Sequence, residues 1–166
     1  MMDTVLVGDL FHWCLKSFDM NLIIIIPHYN DNLHLVQLLV SIRENVDLPI
    51  LVIDDGSDKE PLIDKPIYFL KNKCNRGKGY TLKKAFIYAS ELGYTHAITM
   101  DADLQHSPRD IGRFTNVNSS IDLVLGCRSF KHPMPAIRII SNYITTKIIQ
   151  ISSGNDKLLD TQCGYR

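Results

Sequence analysis

The chain has 166 residues, of which 45% are hydrophobic and 22% are charged, and its 18 basic side chains balance its 18 acidic ones. These values are typical of one soluble globular domain, and the even charge argues against a protein that binds nucleic acid. No segment approaches the ~20 apolar residues that cross a bilayer, and the four cysteines form no C-x-x-C pair, so we expect free thiols in a cytoplasmic protein.

Residues 1–20 lie outside the pattern that organises the rest of the chain. They have some amphipathic character but lack the basic start and the long apolar centre of a signal peptide. We interpret them as an N-terminal extension of unknown role, and a short helix that packs on the domain or on a partner is one reading.

From residue 21 onward, short apolar runs alternate with helical stripes. Buried strands are predicted at residues 22–26, 50–53, 67–70, 96–100 and 122–126. Helices are predicted around residues 35–42, around residues 82–92, from Ser107 with Pro108 in the first turn, and from Ala136 to Ile151. Strands that alternate with helices predict an α/β fold with a mostly parallel sheet flanked by helices.

The apolar stripes of these helices are predicted to face the core. The first stripe consists of Leu35, Leu38, Leu39 and Ile42. The second consists of Leu82, Ala85, Phe86, Ala89 and Leu92, with Gly93 as the residue that ends the helix. The last helix carries Ile137, Ile140, Ile144, Ile148 and Ile151, for which core packing is favoured and partial exposure is the alternative.

Three polar clusters each follow a predicted strand, at residues 27–31, 54–57 and 101–105. In a parallel sheet these loops lie along one edge, which is where α/β proteins bind ligands. A glycine-rich loop at residues 75–79 is expected nearby. Polar loops are also ordinary solvated turns, but their shared edge indicates one pocket.

The segment from residue 101 to residue 105 predicts a metal site. In an extended segment the side chains at i and i+2 point to the same side, so Asp101 and Asp103 can converge. Two carboxylates at such a short distance favour a cation between them, and their oxygen atoms are suitable ligands for Mg²⁺ or Mn²⁺. Gln105 could add a neutral oxygen. A polar turn with helix-capping duty is the alternative.

The other loops offer groups for a nucleotide. Asp54 and Asp55 are acceptors suited to a ribose or a base edge. Gly77 and Gly79 allow the backbone to approach a phosphate at the start of a helix, where Lys78 adds positive charge. The segment does not match the P-loop pattern of phosphate-binding proteins. A glycine-rich helix entry without a ligand is therefore the alternative.

Taken in order, five motifs resemble family 2 glycosyltransferases, in the branch that includes dolichyl-phosphate mannose and glucose synthases. They are Pro27-His-Tyr-Asn30, Val52-Ile-Asp-Asp-Gly-Ser57, Asn75-Arg-Gly-Lys-Gly79, Met100-Asp-Ala-Asp-Leu-Gln-His106 and Asp160-Thr-Gln-Cys-Gly-Tyr-Arg166. The resemblance covers residues 22–166. It implies a GT-A fold, a UDP- or GDP-sugar donor, a divalent metal and inversion at the anomeric carbon.

With the loop chemistry above, the resemblance implies roles for particular residues. The implied nucleotide-sugar site consists of Pro27, Tyr29, Asn30, Asp54, Asp55, Gly77, Lys78, Asp101 and Ala102. The implied metal ligands are Asp101, Asp103 and Gln105. Asp103 and Arg128 are the implied catalytic residues, and Arg128, Arg138 and Ser141 resemble the residues that contact the acceptor phosphate.

The acceptor is predicted from the chemistry of the attacking group. A phosphate monoester is largely anionic at pH 7, with a second pKa of about 6, and needs no strong base. The chain has no glutamate after Glu91, so the late Glu-Asp pair of many relatives is missing. This favours a polyprenyl phosphate as acceptor, at the cytoplasmic face of a membrane. In the alternative in which the isoleucines of the last helix are partly exposed, they could contact lipid there. Transfer to a saccharide hydroxyl, with Asp160 as base, is the alternative.

The end of the sequence leaves further alternatives open. The chain stops at Arg166, directly after the late motif, whereas members of the family usually continue. We therefore expect residues 21–166 to form a GT-A domain for which C-terminal truncation is one interpretation, with a partner protein or a second copy completing it. A nucleotide-sugar-binding module without turnover is a further alternative. A phosphoacceptor receiver domain fits poorly, because it leaves Asp101 and Asp103 unexplained.

Overall fold

The structure is a computed structural model that describes residues 3–7, 20–63, 67–104, 106–118, 121, 123–127 and 136–154. The chain forms two compact units, one of Asp19–Thr115 and one that combines Met1–Phe18 with Asn116–Arg166. In chain order the strands and helices are β1 (Asp3–Val7), β2 (Leu22–His28), α1 (Asn32–Asn45), β3 (Ile50–Asp54), β4 (Tyr68–Lys71), α2 (Lys78–Glu91), β5 (His96–Thr99), α3 (Ile111–Thr115), β6 (Leu123–Cys127) and α4 (Ala136–Ser153).

The unit Asp19–Thr115 is built on a four-stranded sheet with the order β4-β3-β2-β5. Every pair in it is parallel, with Ile24 opposite Ile50 and Leu22 opposite His96. The predicted parallel α/β arrangement is therefore confirmed. β2 continues through Pro27, and this is tolerated because the pairing with β5 already ends at Ile25, so no partner strand on that side needs the missing N–H.

The core of this unit consists of the sheet and the helices that cover it. All five residues of β3 and four consecutive isoleucines of β2 are buried, as expected for parallel strands covered on both faces. The four predicted core residues of α1 are buried, which confirms that stripe. One core cluster joins alternate strand residues to two alanines of α2, namely Ile23, Ile25, Leu51, Ile53, Ala85 and Ala89.

The predicted stripe of α2 is only partly right. The helix buries Thr81, Ala85 and Ala89, whereas Phe86 is 45% exposed and Leu92 lies beyond the helix end. The buried residues are small and spaced by four, so they lie on one face. Gly93 has φ of +86° and occupies the predicted helix-ending position.

The second unit contains an unexpected strand. β1 pairs antiparallel with β6, from Asp3 opposite Cys127 to Val7 opposite Leu123. The strand predicted at residues 122–126 is therefore present, but its partner comes from the segment interpreted as an extension with a short helix. The described part of that segment is a strand rather than a helix.

The isoleucine stripe of α4 is exposed, so the favoured core packing is wrong for the side chains that the structure describes. Ile140, Ile144, Ile148 and Ile151 are each more than half exposed, while Asn142 and Thr146 are buried. The side chain of Ile137 lies outside the described residues. Among the described helices, none combines the length and the apolar character needed to cross a bilayer.

Candidate functional site

The predicted polar loops share one edge of the parallel sheet. β2, β3 and β5 are neighbours and run in the same direction, so the residues that follow them lie at one edge. Backbone hydrogen bonds fix these loops, from Asp55 N to His28 O at 2.8 Å and from Met100 N to Ile25 O at 3.0 Å. The common edge expected from the sequence is confirmed.

Asp54 organises the loop that follows β3. Its carboxylate is fully buried and accepts hydrogen bonds from the backbone N–H of Ser57 at 3.1 Å and from the Ser57 hydroxyl. The same hydroxyl accepts a hydrogen bond from the backbone N–H of Asn30 at 2.8 Å. Lys71 Nζ lies 3.6 Å from Asp54 Oδ2. Asp54 therefore joins the loops after β2 and β3.

Asp55 holds the glycine-rich loop against the edge of the sheet. Its carboxylate accepts hydrogen bonds from Asn72 Nδ2 at 2.8 Å, Arg76 N at 2.9 Å and Gly77 N at 2.8 Å. Burial alone would raise the pKa of Asp55, but the hydrogen bonds from Asn72, Arg76, Thr81 and Gly77 outweigh it and lower the pKa from its ordinary value of 3.8.

This role of Asp55 was not predicted from the sequence. Its partners lie 17 to 22 positions further along the chain. The available signal was indirect, because a glycine-rich loop that enters a helix exposes N–H groups that need an acceptor. The assignment of Asp54 and Asp55 to a nucleoside pocket stays a prediction.

The glycine-rich loop places Lys78 beside the acidic segment after β5. Gly77 has φ of +85°, a conformation that favours glycine, and α2 begins at the next residue. Lys78 Nζ lies 2.5 Å from Asp101 Oδ1. The structure thus brings two of the predicted donor-site residues into direct contact.

The pair of Asp101 and Asp103 lies on a turn rather than on an extended segment. β5 ends at Thr99, and residues 102 and 103 form a turn in which Ala102 is buried and Asp103 is exposed. Leu104 then has φ of +59°. The predicted convergence of the two carboxylates assumed an extended strand, but β5 ends at Thr99, two residues before Asp101.

The described residues fit a divalent ion only if other ligands complete its shell. Within the described ranges, no three or more histidine, cysteine, aspartate or glutamate side chains are grouped so that they could hold a metal. Asp101 and Asp103 nevertheless supply the hard oxygen atoms that Mg²⁺ prefers, and such ions are commonly held by one or two carboxylates together with substrate phosphates. Gln105, the third predicted ligand, lies outside the described residues.

The loop after β2 is ordered by side-chain hydrogen bonds. Asn30 has φ of +53°, and its Oδ1 accepts a hydrogen bond from Asp58 N at 2.9 Å. His28 is buried, with Nε2 at 2.9 Å from Asn32 Oδ1. Pro27 is half-buried and the Tyr29 ring is exposed at this edge. An aromatic face is therefore accessible next to the end of β2.

The predicted acceptor contacts are not tested by the structure. Arg128 lies outside the described residues, as does the side chain of Arg138. Ser141 lies on α4 and is exposed, and it belongs to the unit that includes Asn116–Arg166.

Cys74 is a free, exposed thiol, in agreement with the expectation for that residue.

A parallel sheet whose carboxyl edge gathers an acidic turn, a glycine-rich helix entry and polar loops has the arrangement at which α/β proteins bind their ligands. Residues 23–135 match the model of glycosyl transferase family 2, and the chain belongs to this family. It is a glycosyltransferase with a GT-A fold, as the sequence resemblance implied.

Relatives of this chain include enzymes named for lipid phosphates. The chain is 30% identical to an undecaprenyl-phosphate mannosyltransferase of Micrococcus luteus, over 66% of this chain and 49% of that enzyme. It is 28% identical to a UDP-N-acetylglucosamine–dolichyl-phosphate N-acetylglucosaminyltransferase of Methanococcus voltae, over 86% of this chain and 67% of that enzyme. An uncharacterized protein of Methanocaldococcus jannaschii is 30% identical over 87% of this chain and 70% of its own length.

Proposed function

We propose that this glycosyltransferase moves a sugar, with inversion, from a UDP- or GDP-linked donor to a polyprenyl phosphate, assisted by Mg²⁺ or Mn²⁺. The observation that carries the proposal is the contact between Lys78 and Asp101 at the carboxyl edge of the sheet. It joins the helix entry suited to phosphate with the acidic turn suited to a cation. The names of the relatives support the class of acceptor.

The donor site is proposed along the loops at this edge. The start of α2 offers backbone N–H groups and the ammonium of Lys78 to a diphosphate. Asp55 fixes the backbone of this loop, so its groups are positioned before the donor arrives. The exposed ring of Tyr29, next to Asn30, is suited to the nucleoside.

Catalysis is proposed to depend on neutralising the leaving group. A divalent ion held by Asp101 and Asp103, with Gln105 as a further ligand, would supply positive charge to the departing diphosphate. Asp103 is the carboxylate that we assign closest to this charge. Lys78 would also bind phosphate oxygens. Arg128 is proposed to face the reacting phosphates, since a guanidinium contacts phosphate with two donors.

The acceptor is proposed to be anionic and lipid-linked. A phosphate monoester carries its nucleophilic charge at neutral pH, so Arg128, Arg138 and Ser141 would position it without a strong base. The exposed isoleucines of α4 support contact of this helix with an acyl-chain surface. We propose a peripheral location at a membrane, where such an acceptor is found.

Product formation tests this proposal. The full chain is incubated with undecaprenyl phosphate, Mn²⁺ and labelled UDP- and GDP-sugars, and the organic phase is analysed for labelled lipid. We expect a labelled lipid with one donor and at least a ~100-fold loss for Asp103→Asn. The matched control is Asp47→Asn, because Asp47 is exposed and precedes β3 at the opposite edge of the sheet.

Two results would contradict the proposal. Label that appears only in a parallel reaction with a saccharide acceptor, and not with undecaprenyl phosphate, would show transfer to a hydroxyl instead of a phosphate. Saturable binding of a nucleotide-sugar without any product, under conditions in which the M. luteus enzyme is active, would indicate a binding module without turnover.

A further inference from the structure

Lys78 forms an ion pair with Asp101, which is one of the two carboxylates proposed to bind the metal. Lys78 Nζ lies 2.5 Å from Asp101 Oδ1, and the two side chains are 52% and 27% exposed. Ion pairs that are open to solvent contribute little to stability. The lysine is therefore held at this oxygen by a contact that a stronger ligand can replace.

The backbone that carries Lys78 is held by hydrogen bonds, whereas its side chain is half exposed. The preceding residue, Gly77, donates its N–H to Asp55 Oδ2 at 2.8 Å, and Asp55 is buried. Lys78 is the first residue of α2, so its Cα has a defined position at the helix entry. Any movement of the ammonium must come from rotation of the four-carbon side chain.

A lysine ammonium and a divalent ion compete for Asp101. Both need the lone pairs of the same carboxylate, and two cations placed at one carboxylate repel each other. A diphosphate changes this balance, because its oxygen atoms attract both cations. The ammonium can then leave the carboxylate and bind phosphate while the ion takes its place.

We propose that Lys78 acts as an internal counter-ion that occupies Asp101 in the donor-free protein and transfers to the diphosphate when the metal and the donor bind. This inference rests on the proposed function. It predicts that the divalent ion and the nucleoside diphosphate bind cooperatively, each tightening the binding of the other by the same factor. Lys78 thus discourages metal binding before the donor is present and binds the diphosphate once it has arrived.

The test measures Mn²⁺ binding rather than turnover. Binding to the full chain is followed by the electron paramagnetic resonance signal of free Mn²⁺, first without nucleotide and then with UDP or GDP. Binding of Mn²⁺ to free nucleotide is measured separately and subtracted. The variants are Lys78→Met, Lys78→Arg and Lys83→Met, the last being a control on the same helix at an exposed lysine.

We expect Lys78→Met to bind Mn²⁺ alone at least about 5-fold more tightly than the wild type, and the factor by which nucleotide tightens Mn²⁺ binding to shrink by a similar amount. Lys78→Arg keeps a cation at Asp101 and should retain the wild-type pattern, as should Lys83→Met. Circular dichroism and thermal unfolding establish that each variant is folded.

The outcomes separate this inference from the proposed function. If the wild type binds Mn²⁺ with nucleotide but Lys78→Met shows the same affinities and the same cooperativity, the inference is overturned and the proposed function stands. If neither protein binds Mn²⁺ in the presence of UDP or GDP, the metal-assisted function and the inference are both overturned.

Discussion

Asp54 and Asp55 are adjacent in the sequence but serve the site through different contacts. Asp54 closes its own loop through Ser57, whereas Asp55 reaches the loop that precedes α2. The sequence showed that both carboxylates lie at the ligand edge, because they directly follow a buried strand. It could not show their partners, since Arg76 and Gly77 become neighbours only after β3 and β4 pair.

Removing the Asp55 charge should destabilise the protein. Asp55→Asn weakens hydrogen bonds from two backbone N–H groups and an amide, and we expect a loss of roughly 1–3 kcal/mol in the free energy of unfolding at pH 7. Urea unfolding measures this difference. The control is Asp47→Asn, at a fully exposed carboxylate, which should leave the free energy unchanged.

The same contacts predict a pH dependence. The pKa of Asp55 is lowered from 3.8, so its stabilising contribution is fully present above 3.8 and is lost as the pH falls through the lower folded value. The difference in unfolding free energy between wild type and Asp55→Asn should therefore shrink below pH 3.8. A difference that stays constant into this acid range would show that the charge of Asp55 does not stabilise the loop.

Substitutions at Gly56 and Gly93 separate the energetic cost of a left-handed backbone conformation from the cost of a steric clash. Both have positive φ, near +79° and +86°, but a Cβ on Gly56 would lie 2.6 Å from the carbonyl carbon of Cys74, whereas a Cβ on Gly93 would meet nothing within 4 Å. We expect Gly93→Ala to cost about 1–2 kcal/mol for the left-handed conformation alone. Gly56→Ala should lower the free energy of unfolding in urea by at least ~1 kcal/mol more, because the backbone at Cys74 must move. Equal losses would contradict the predicted contact.

At the scale of elements, the parts that were predicted correctly depend on local patterns. β3 is buried at every position and therefore reads as a continuous apolar run in the sequence. β1 was not predicted, because its partner β6 lies about 120 residues away along the chain and no local pattern reveals such pairing. In α2 the predicted stripe is right for Ala85 and Ala89, which pack on the sheet, and wrong for Phe86, which is exposed.

The exposed isoleucine stripe of α4 gives an element-scale prediction. Ile144→Glu and Ile148→Glu replace exposed side chains, so the free energy of unfolding should change by no more than ~0.5 kcal/mol. Truncation of a buried helix residue, as in Leu38→Ala, should cost about 2–5 kcal/mol. Co-sedimentation with phospholipid vesicles should fall in both glutamate variants if this face contacts lipid.

A large loss of stability in Ile144→Glu would contradict the exposure of this face. Unchanged vesicle binding in both folded glutamate variants would instead leave α4 exposed but remove it from the proposed membrane surface. The two measurements therefore test the structure of the helix and its proposed role independently.

At the scale of the whole molecule, the predicted roles divide between the two compact units. All of the predicted donor residues lie in Asp19–Thr115, which carries the parallel sheet and the contact between Lys78 and Asp101. The predicted acceptor residues Arg138 and Ser141 lie in the other unit. Family membership and the sheet edge could be predicted from ordered motifs, whereas the turn at residues 102–103 could not, because strand alternation says nothing about where β5 ends.

If the acidic turn holds a cation that binds the diphosphate of the donor, diphosphate and cation should stabilise the folded protein together. Thermal unfolding is followed with UDP, GDP or the corresponding monophosphates, each with and without Mn²⁺, for wild type and Asp103→Asn. A diphosphate should raise the unfolding temperature of the wild type only when Mn²⁺ is present, since a ligand specific for the folded state stabilises it. Stabilisation that is independent of Mn²⁺, or that persists unchanged in Asp103→Asn, would contradict the claim.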